Sequence, residues 1–84
     1  MYTIILEKEA EKFLFKIEKT TAERITKRIH ELKNNSELGK PLVGKLSGLW
    51  SLRIGDYRAI YQIRKEQIII LVLKIGHREN IYKN

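Results

Sequence analysis

The sequence predicts a single α+β domain over residues 1–84: one N-terminal strand, an αα-hairpin, then a three-stranded antiparallel meander, with the helices packed on one face of the sheet. Three observations lead there. A β-rich run at Tyr2 to Leu6 gives way at Glu9 to apolar residues at helical spacing. A second helical stripe follows a short break. Beyond a segment rich in glycine come three β-rich runs separated by turn signals.

In chain order, Ala10, Phe13, Leu14 and Ile17 recur at i, i+3, i+4 and i+7, the stripe of an amphipathic helix. Thr20 stands three residues before Glu23, the spacing of a capping box, and opens a second helix. Ala22, Ile25, Ile29 and Leu32 form the apolar stripe of that helix, with Lys27, Arg28, Glu31 and Lys33 on its solvated side. Asn34-Asn35-Ser36 ends it. Two short helices are not stable alone in water, so the pair must pack on something. Gly39 to Gly48 holds Gly39, Pro41, Gly44 and Gly48 and reads as a loop. The strands then run from Leu49 to Ile54, Tyr57 to Ile63, and Gln67 to Ile75.

Composition narrows the class. The chain is 84 residues long, 43% hydrophobic and 32% charged, which suits a globular domain and excludes a disordered or collagen-like chain. It lacks cysteine, which excludes a disulfide framework and a thiolate metal site. The longest apolar run, Ile68 to Leu73, is far below the ~20 residues of a membrane span, and the expected location is the cytoplasm. The net charge is +7, and most of the excess lies in residues 43–84, with eight basic against three acidic side chains. A surplus so placed fits a polyanionic partner.

The hairpin register is the most informative reading. With Gly55-Asp56 as a two-residue turn, Ile54 pairs with Tyr57 and Arg53 with Arg58. Alternation puts Trp50, Leu52, Ile54, Tyr57, Ala59, Tyr61 and Ile63 on the helix-covered face. The other face carries Leu49, Ser51, Arg53, Arg58, Ile60 and Gln62. Two arginines directly across from one another repel, and an anion between them removes the conflict. The last strand extends the pattern, with Ile69, Leu71, Leu73 and Ile75 facing the helices. Ile68, Ile70, Val72, Lys74 and Gly76 then take the other side, followed by Arg78. Arg53, Arg58, Lys74 and Arg78 would converge there, and Ile60, Ile68, Ile70 and Val72 would leave an apolar patch for a partner. The plainer alternatives are a solvated charged face and a patch covered by the chain's own end.

Hydrolytic metal chemistry needs several oxygen ligands or a histidine cluster, and residues 43–84 offer only Asp56, Glu66 and Glu79, well separated. No metal or other cofactor is expected. His77 and Lys45 are weaker signals, each in a loop or strand end next to the cationic segment.

Tyr57 to Ile63 (YRAIYQI), Ile75 to Tyr82 (IGHRENIY) and Lys45-Leu46-Ser47-Gly48 together resemble the RelE branch of the RelE/ParE toxin superfamily, over essentially the whole chain. The resemblance implies the toxin of a type II toxin–antitoxin pair: a ribosome-dependent mRNA endonuclease that inhibits translation. It would need no metal and would activate a ribose 2′-OH against the adjacent phosphate. By position, Arg58, Arg78 and Tyr82 match catalytic residues; Lys45, Arg53, Lys74 and His77 would bind RNA; and Ile60, Ile68, Ile70 and Val72 would meet the antitoxin in a hetero-oligomer. One departure is plain: Leu49 and Ser51 stand where bacterial RelE carries two lysines, one a candidate base. ParE-like inhibitors of DNA gyrase share the fold and are also basic, so that activity is the alternative, as is a catalytically weak homologue kept as an antitoxin partner.

Overall fold

The computed structural model describes residues 1–77. Its elements are β1 (Thr3–Leu6), α1 (Lys8–Lys16), α2 (Lys19–His30), β2 (Lys40–Pro41), β3 (Trp50–Ile54), β4 (Tyr57–Arg64) and β5 (Ile69–His77), with 3-10 turns at Glu31–Lys33 and Gly44–Leu46. The strands form one sheet in the order β1-β5-β4-β3-β2. β1 runs parallel to β5, and the other neighbours are antiparallel. Between the two parallel strands the chain runs through the helical hairpin and then back across the sheet as β2, β3 and β4, a long connection of the kind that parallel pairing requires.

The expected α+β architecture holds, with three local corrections. The second helix starts at Lys19 with Glu18 at its N-cap and no capping side chain. The Thr20 hydroxyl instead donates to the Glu18 carboxylate at 2.6 Å, so the capping box does not form. Leu32 sits in the 3-10 turn rather than in the helix. Within the segment read as a loop, Lys40 and Pro41 pair with Ser51 and Trp50 as β2. Proline is tolerated there because β2 is an edge strand and the ladder needs no donor on its outer side.

The helices cover one face of the sheet. Ala10, Ile25, Ile29 and Leu32 pack with Leu52, Ile54, Ala59, Tyr61, Ile70, Val72 and Ile75 in the core. Each large aliphatic side chain buried there contributes about 1.5–3 kcal/mol relative to exposure. The β3–β4 hairpin has the register expected: Ile54 opposite Tyr57 and Arg53 opposite Arg58. Gly55 supplies the left-handed φ of 59° that the turn requires.

The parity of β5 does not hold along its length. Ile60 pairs with Lys74 but Tyr61 pairs with Val72, so Leu73 is an extra residue in a β-bulge. One inserted residue exchanges the two faces. Beyond the bulge, Lys74 and Gly76 lie on the helix-free face as expected. Before it the faces are reversed: Ile70 and Val72 are fully buried in the helix-side core, while Leu71 pairs with Gln62 outside that core. Ile70 and Val72 are therefore core residues and not an exposed patch. Ile60 does lie on the helix-free face, but it is only 6% exposed and closed within the chain. Of the four apolar residues assigned to a partner, Ile68 alone is open, at 53% exposure.

Tyr61 ties the sheet to the segment after α2. Its hydroxyl accepts from the Gly39 backbone N–H at 3.1 Å and donates to the Ser36 carbonyl at 2.8 Å. Its ring stacks on Trp50 with centroids 6.2 Å apart. Burial raises the Tyr61 pKa; the Gly39 hydrogen bond pulls it down in part, and Glu37 adds to the rise. A phenol with a raised native pKa gives stability that is complete below the unfolded value of about 10 and is lost as pH climbs through the native one. Tyr61→Phe is expected to cost about 1–2 kcal/mol at neutral pH by leaving both backbone groups unpaired. It should also flatten the decline in stability above about pH 10, which urea unfolding at several alkaline pH values will read.

Candidate nucleic-acid interface

The helix-free face of β3, β4 and β5 is built by the turn at Gly55-Asp56, which fixes register and therefore facing. Arg53 and Arg58 stand directly opposite one another on it. Arg53 is exposed and Arg58 half-buried. The Arg58 guanidinium donates through Nη1 to the Ser51 hydroxyl at 3.3 Å, and Ser51 is itself 3% exposed. Opposite Arg58 on β5 stands Gly76, so no side chain from that register position flanks the guanidinium. Lys74, opposite Ile60, puts a third cation on the same face, half-buried. The bulge at Leu73 is what places Lys74 there, because it restores the outward facing after the buried Ile70 and Val72.

Ser51 is the residue that sequence reasoning undervalued. It stands where lysine was expected from the resemblance, and its small buried hydroxyl is a hydrogen-bond partner of Arg58 instead. The signal was available: Ser51 lies two residues from Arg53 on the same face of β3.

Other predicted residues lie elsewhere. Lys45 is exposed in the 3-10 turn Gly44–Leu46, between β2 and β3. His77 pairs with Tyr57, on the opposite parity from Arg58, and its ring lies 4.8 Å from the Tyr57 ring. Tyr57 in turn meets Phe13 of α1 edge-on at 5.9 Å. The imidazole thus packs at a tilt on the helix-side aromatic row at the end of β5, so His77 borders the cationic face from the other side of the sheet. Arg78 and Tyr82 lie outside the described residues. Among the described residues, no three His, Cys, Asp or Glu side chains are grouped to hold a metal ion, and no helix is long and apolar enough to cross a membrane.

Two arginines at directly opposed register positions on one face of a sheet suit a phosphodiester, because each guanidinium fork can donate two parallel hydrogen bonds to phosphate oxygens. The family described as "ParE toxin of type II toxin-antitoxin system, parDE" matches residues 4–82. The chain belongs to this toxin family. Among relatives, the toxin is 41% identical over 68 residues to Toxin YoeB of Mycobacterium bovis, covering 73% of this chain and 80% of that one. It is 41% identical over 46 residues to Toxin RelG of Mycobacterium tuberculosis, covering 55% of this chain and about half, 53%, of RelG. In three dimensions it superposes on a chain of the toxin–antitoxin complex RelBE2 of Mycobacterium tuberculosis with a TM-score of 0.85 and 29% identity, covering 92% of this chain and 98% of that one. The intact Escherichia coli RelBE complex gives 0.76 at 24% identity, over 95% and 100% of the two chains, a likeness of fold. The toxin is thus a RelE-like member of the RelE/ParE superfamily.

Proposed function

We propose that the toxin is a ribosome-dependent mRNA endonuclease acting in the cytoplasm, cleaving by attack of a ribose 2′-OH on the adjacent phosphate. The single observation that carries this reading is the Arg53–Arg58 cross-strand pair beside Ser51 and Lys74 on the helix-free face. In such a step the 2′ oxygen bonds to phosphorus, the bond to the 5′ oxygen breaks, and the 5′ oxygen leaves with a proton as an alcohol. Charge builds on the non-bridging phosphate oxygens, which is where Arg58, and with it Arg78, would act. Tyr82 would orient a base or move a proton. Arg53, Lys74 and Lys45 would hold the RNA backbone, with His77 at its margin. An ordinary lysine or arginine is a poor base at neutral pH, so positioning carries most of the burden, and the ribosome supplies part of it.

A cognate antitoxin would hold the toxin silent in a hetero-oligomer. The names of the superposing RelBE2 and RelBE complexes support such a partner. With Ile60, Ile70 and Val72 buried, Ile68 is the exposed one of the four apolar residues assigned to it. Ile68 has φ 56°, a left-handed conformation that a β-branched residue rarely takes, and its carbonyl accepts from the Thr3 N–H at 3.0 Å. Asparagine tolerates that region. Ile68→Asn is expected to stabilise the free toxin by about 0.5–1 kcal/mol, seen as a rise in Tm of about 4 °C. The same variant would bind antitoxin more weakly in a titration.

The second reading, inhibition of DNA gyrase without chemistry, is favoured by the ParE description that matches residues 4–82. Primer extension on messages from translating ribosomes, run beside a gyrase supercoiling assay, separates the two. Cuts at defined codon positions with supercoiling intact are the expected result. Inhibited supercoiling with uncut message would establish the second reading.

A further inference from the structure

A second cationic feature lies around the corner from the strand pair. α2 and the outer edge of β3 enclose a groove of about 360 Å³, lined by Arg24, Lys27, Arg28 and Glu31 on one side and by Arg53, Ile54 and Gly55 on the other. β2 pairs with β3 only at Trp50 and Ser51, so it does not cover the edge at Arg53 and Ile54. Arg24, Lys27 and Arg28 are three and four residues apart and share one face of α2, where like charges repel. Glu31 is the one carboxylate lining the groove, and it is paired with Arg28 at 2.8 Å. The Arg24 guanidinium reaches over the hairpin turn: its Nη2 lies 3.8 Å from where a Cβ on Gly55 would be. Four cations therefore meet one anion across a concave surface.

We propose that this groove binds the phosphodiester backbone of RNA, as an extension of the cationic strand pair; the inference rests on the RNA-directed reading above. Arg53 belongs to both features, so a backbone held between Arg53 and Arg58 continues round the β3 edge onto α2. The lining chemistry favours a nucleic acid over a peptide. A peptide groove needs apolar pockets for anchoring side chains. Here Ile54 is the one apolar side chain in the lining, and it is 5% exposed. What remains is a row of forked and point cations, which suits evenly spaced phosphates. Contacts of this kind, remote from the reacting bond, hold the substrate in position.

The test is the double variant Arg24→Gln, Lys27→Gln. Glutamine keeps helix propensity, and the Arg28–Glu31 pair is left in place. The probe is a fluorescent single-stranded RNA of about 12 nucleotides, 2′-O-methylated so that it is not cleaved. Its affinity is measured between about 50 and 200 mM KCl. Two lost phosphate contacts reduce the slope of log affinity against log salt by about 1.4 and weaken binding about tenfold at the higher salt. Circular dichroism and Tm matching wild type establish that the variant is folded. An unchanged slope and affinity would overturn the groove, as would intact RNA binding with weakened binding of an acidic antitoxin peptide. Arg58→Ala, run in parallel for cleavage on ribosomes, separates the two ideas. Lost cleavage with an unchanged slope sinks the groove alone, and a changed slope without any cleavage by wild type leaves the groove standing and sinks the endonuclease.

Discussion

Arg58→Ala is expected to lower ribosome-dependent cleavage by about 10²–10³-fold and to relieve the growth arrest that follows expression of the toxin. The magnitude is that of removing one fixed donor aimed at charge that develops in a transition state. Arg58 has the features such a donor needs: it is half-buried, it is hydrogen-bonded to a buried Ser51 hydroxyl, and it projects from the middle strand of β3, β4 and β5. The fold should survive the change. Arg58 faces Arg53 across the ladder, and like charges directly opposite cost roughly 0.2–1 kcal/mol. Removing one offsets the loss of the Ser51 contact, so Tm should stay within a few degrees of wild type. Arg53 is the comparison. It is exposed and lines the outer groove, so Arg53→Ala should raise KM more than it lowers kcat. Single-turnover cleavage on purified ribosomes reads both. Equal cleavage by wild type and Arg58→Ala at matched expression would remove Arg58 from the site and leave the phosphate to other cations.

The contrast between the hairpin and the last strand explains what the sequence made legible. Gly55-Asp56 is a turn with one register, and the residues around it alternate cleanly between apolar and polar, so Arg53 and Arg58 could be set opposite each other from the sequence alone. From Ile68 to Leu73 every residue is apolar. Both parities then satisfy burial equally, and a bulge at Leu73 leaves no trace in residue type. The reversal of Ile70 and Val72 follows from that single inserted residue. β2 escaped for a different reason: two residues, one of them proline, make no periodic signal, and the pairing is imposed by β3. Lys27 and Arg28 were legible as solvated helix positions, which they are on α2 taken alone. Only the packing of α2 against the β3 edge brings them opposite Arg53.

Gly39→Ala is expected to destabilise the fold by about 2–3 kcal/mol, a fall in Tm of about 10–20 °C for a domain of this size. A Cβ at position 39 would stand 2.5 Å from the Ser51 carbonyl oxygen and 2.9 Å from the Tyr61 hydroxyl. The first is backbone of β3 and cannot swing aside, so the segment entering β2 must lift. Lifting it strains the Lys40–Ser51 and Pro41–Trp50 pairs of β2 and the hydrogen bond from the Gly39 N–H to Tyr61. Loss of that bond leaves polar groups unpaired at a part-buried position, which adds to the steric cost. The damage also reaches the cationic face, because Ser51 is the residue whose hydroxyl accepts from Arg58. Gly39→Ala should therefore reduce cleavage as well as Tm, whereas Tyr61→Phe, which removes the hydroxyl and adds no bulk, should lower Tm by less and spare cleavage. Calorimetry and single-turnover cleavage on the two variants separate these effects. A Gly39→Ala protein that melts within about 2 °C of wild type would mean that the segment before β2 is not clamped against β3, and Ser51 would then owe its position to β4 alone.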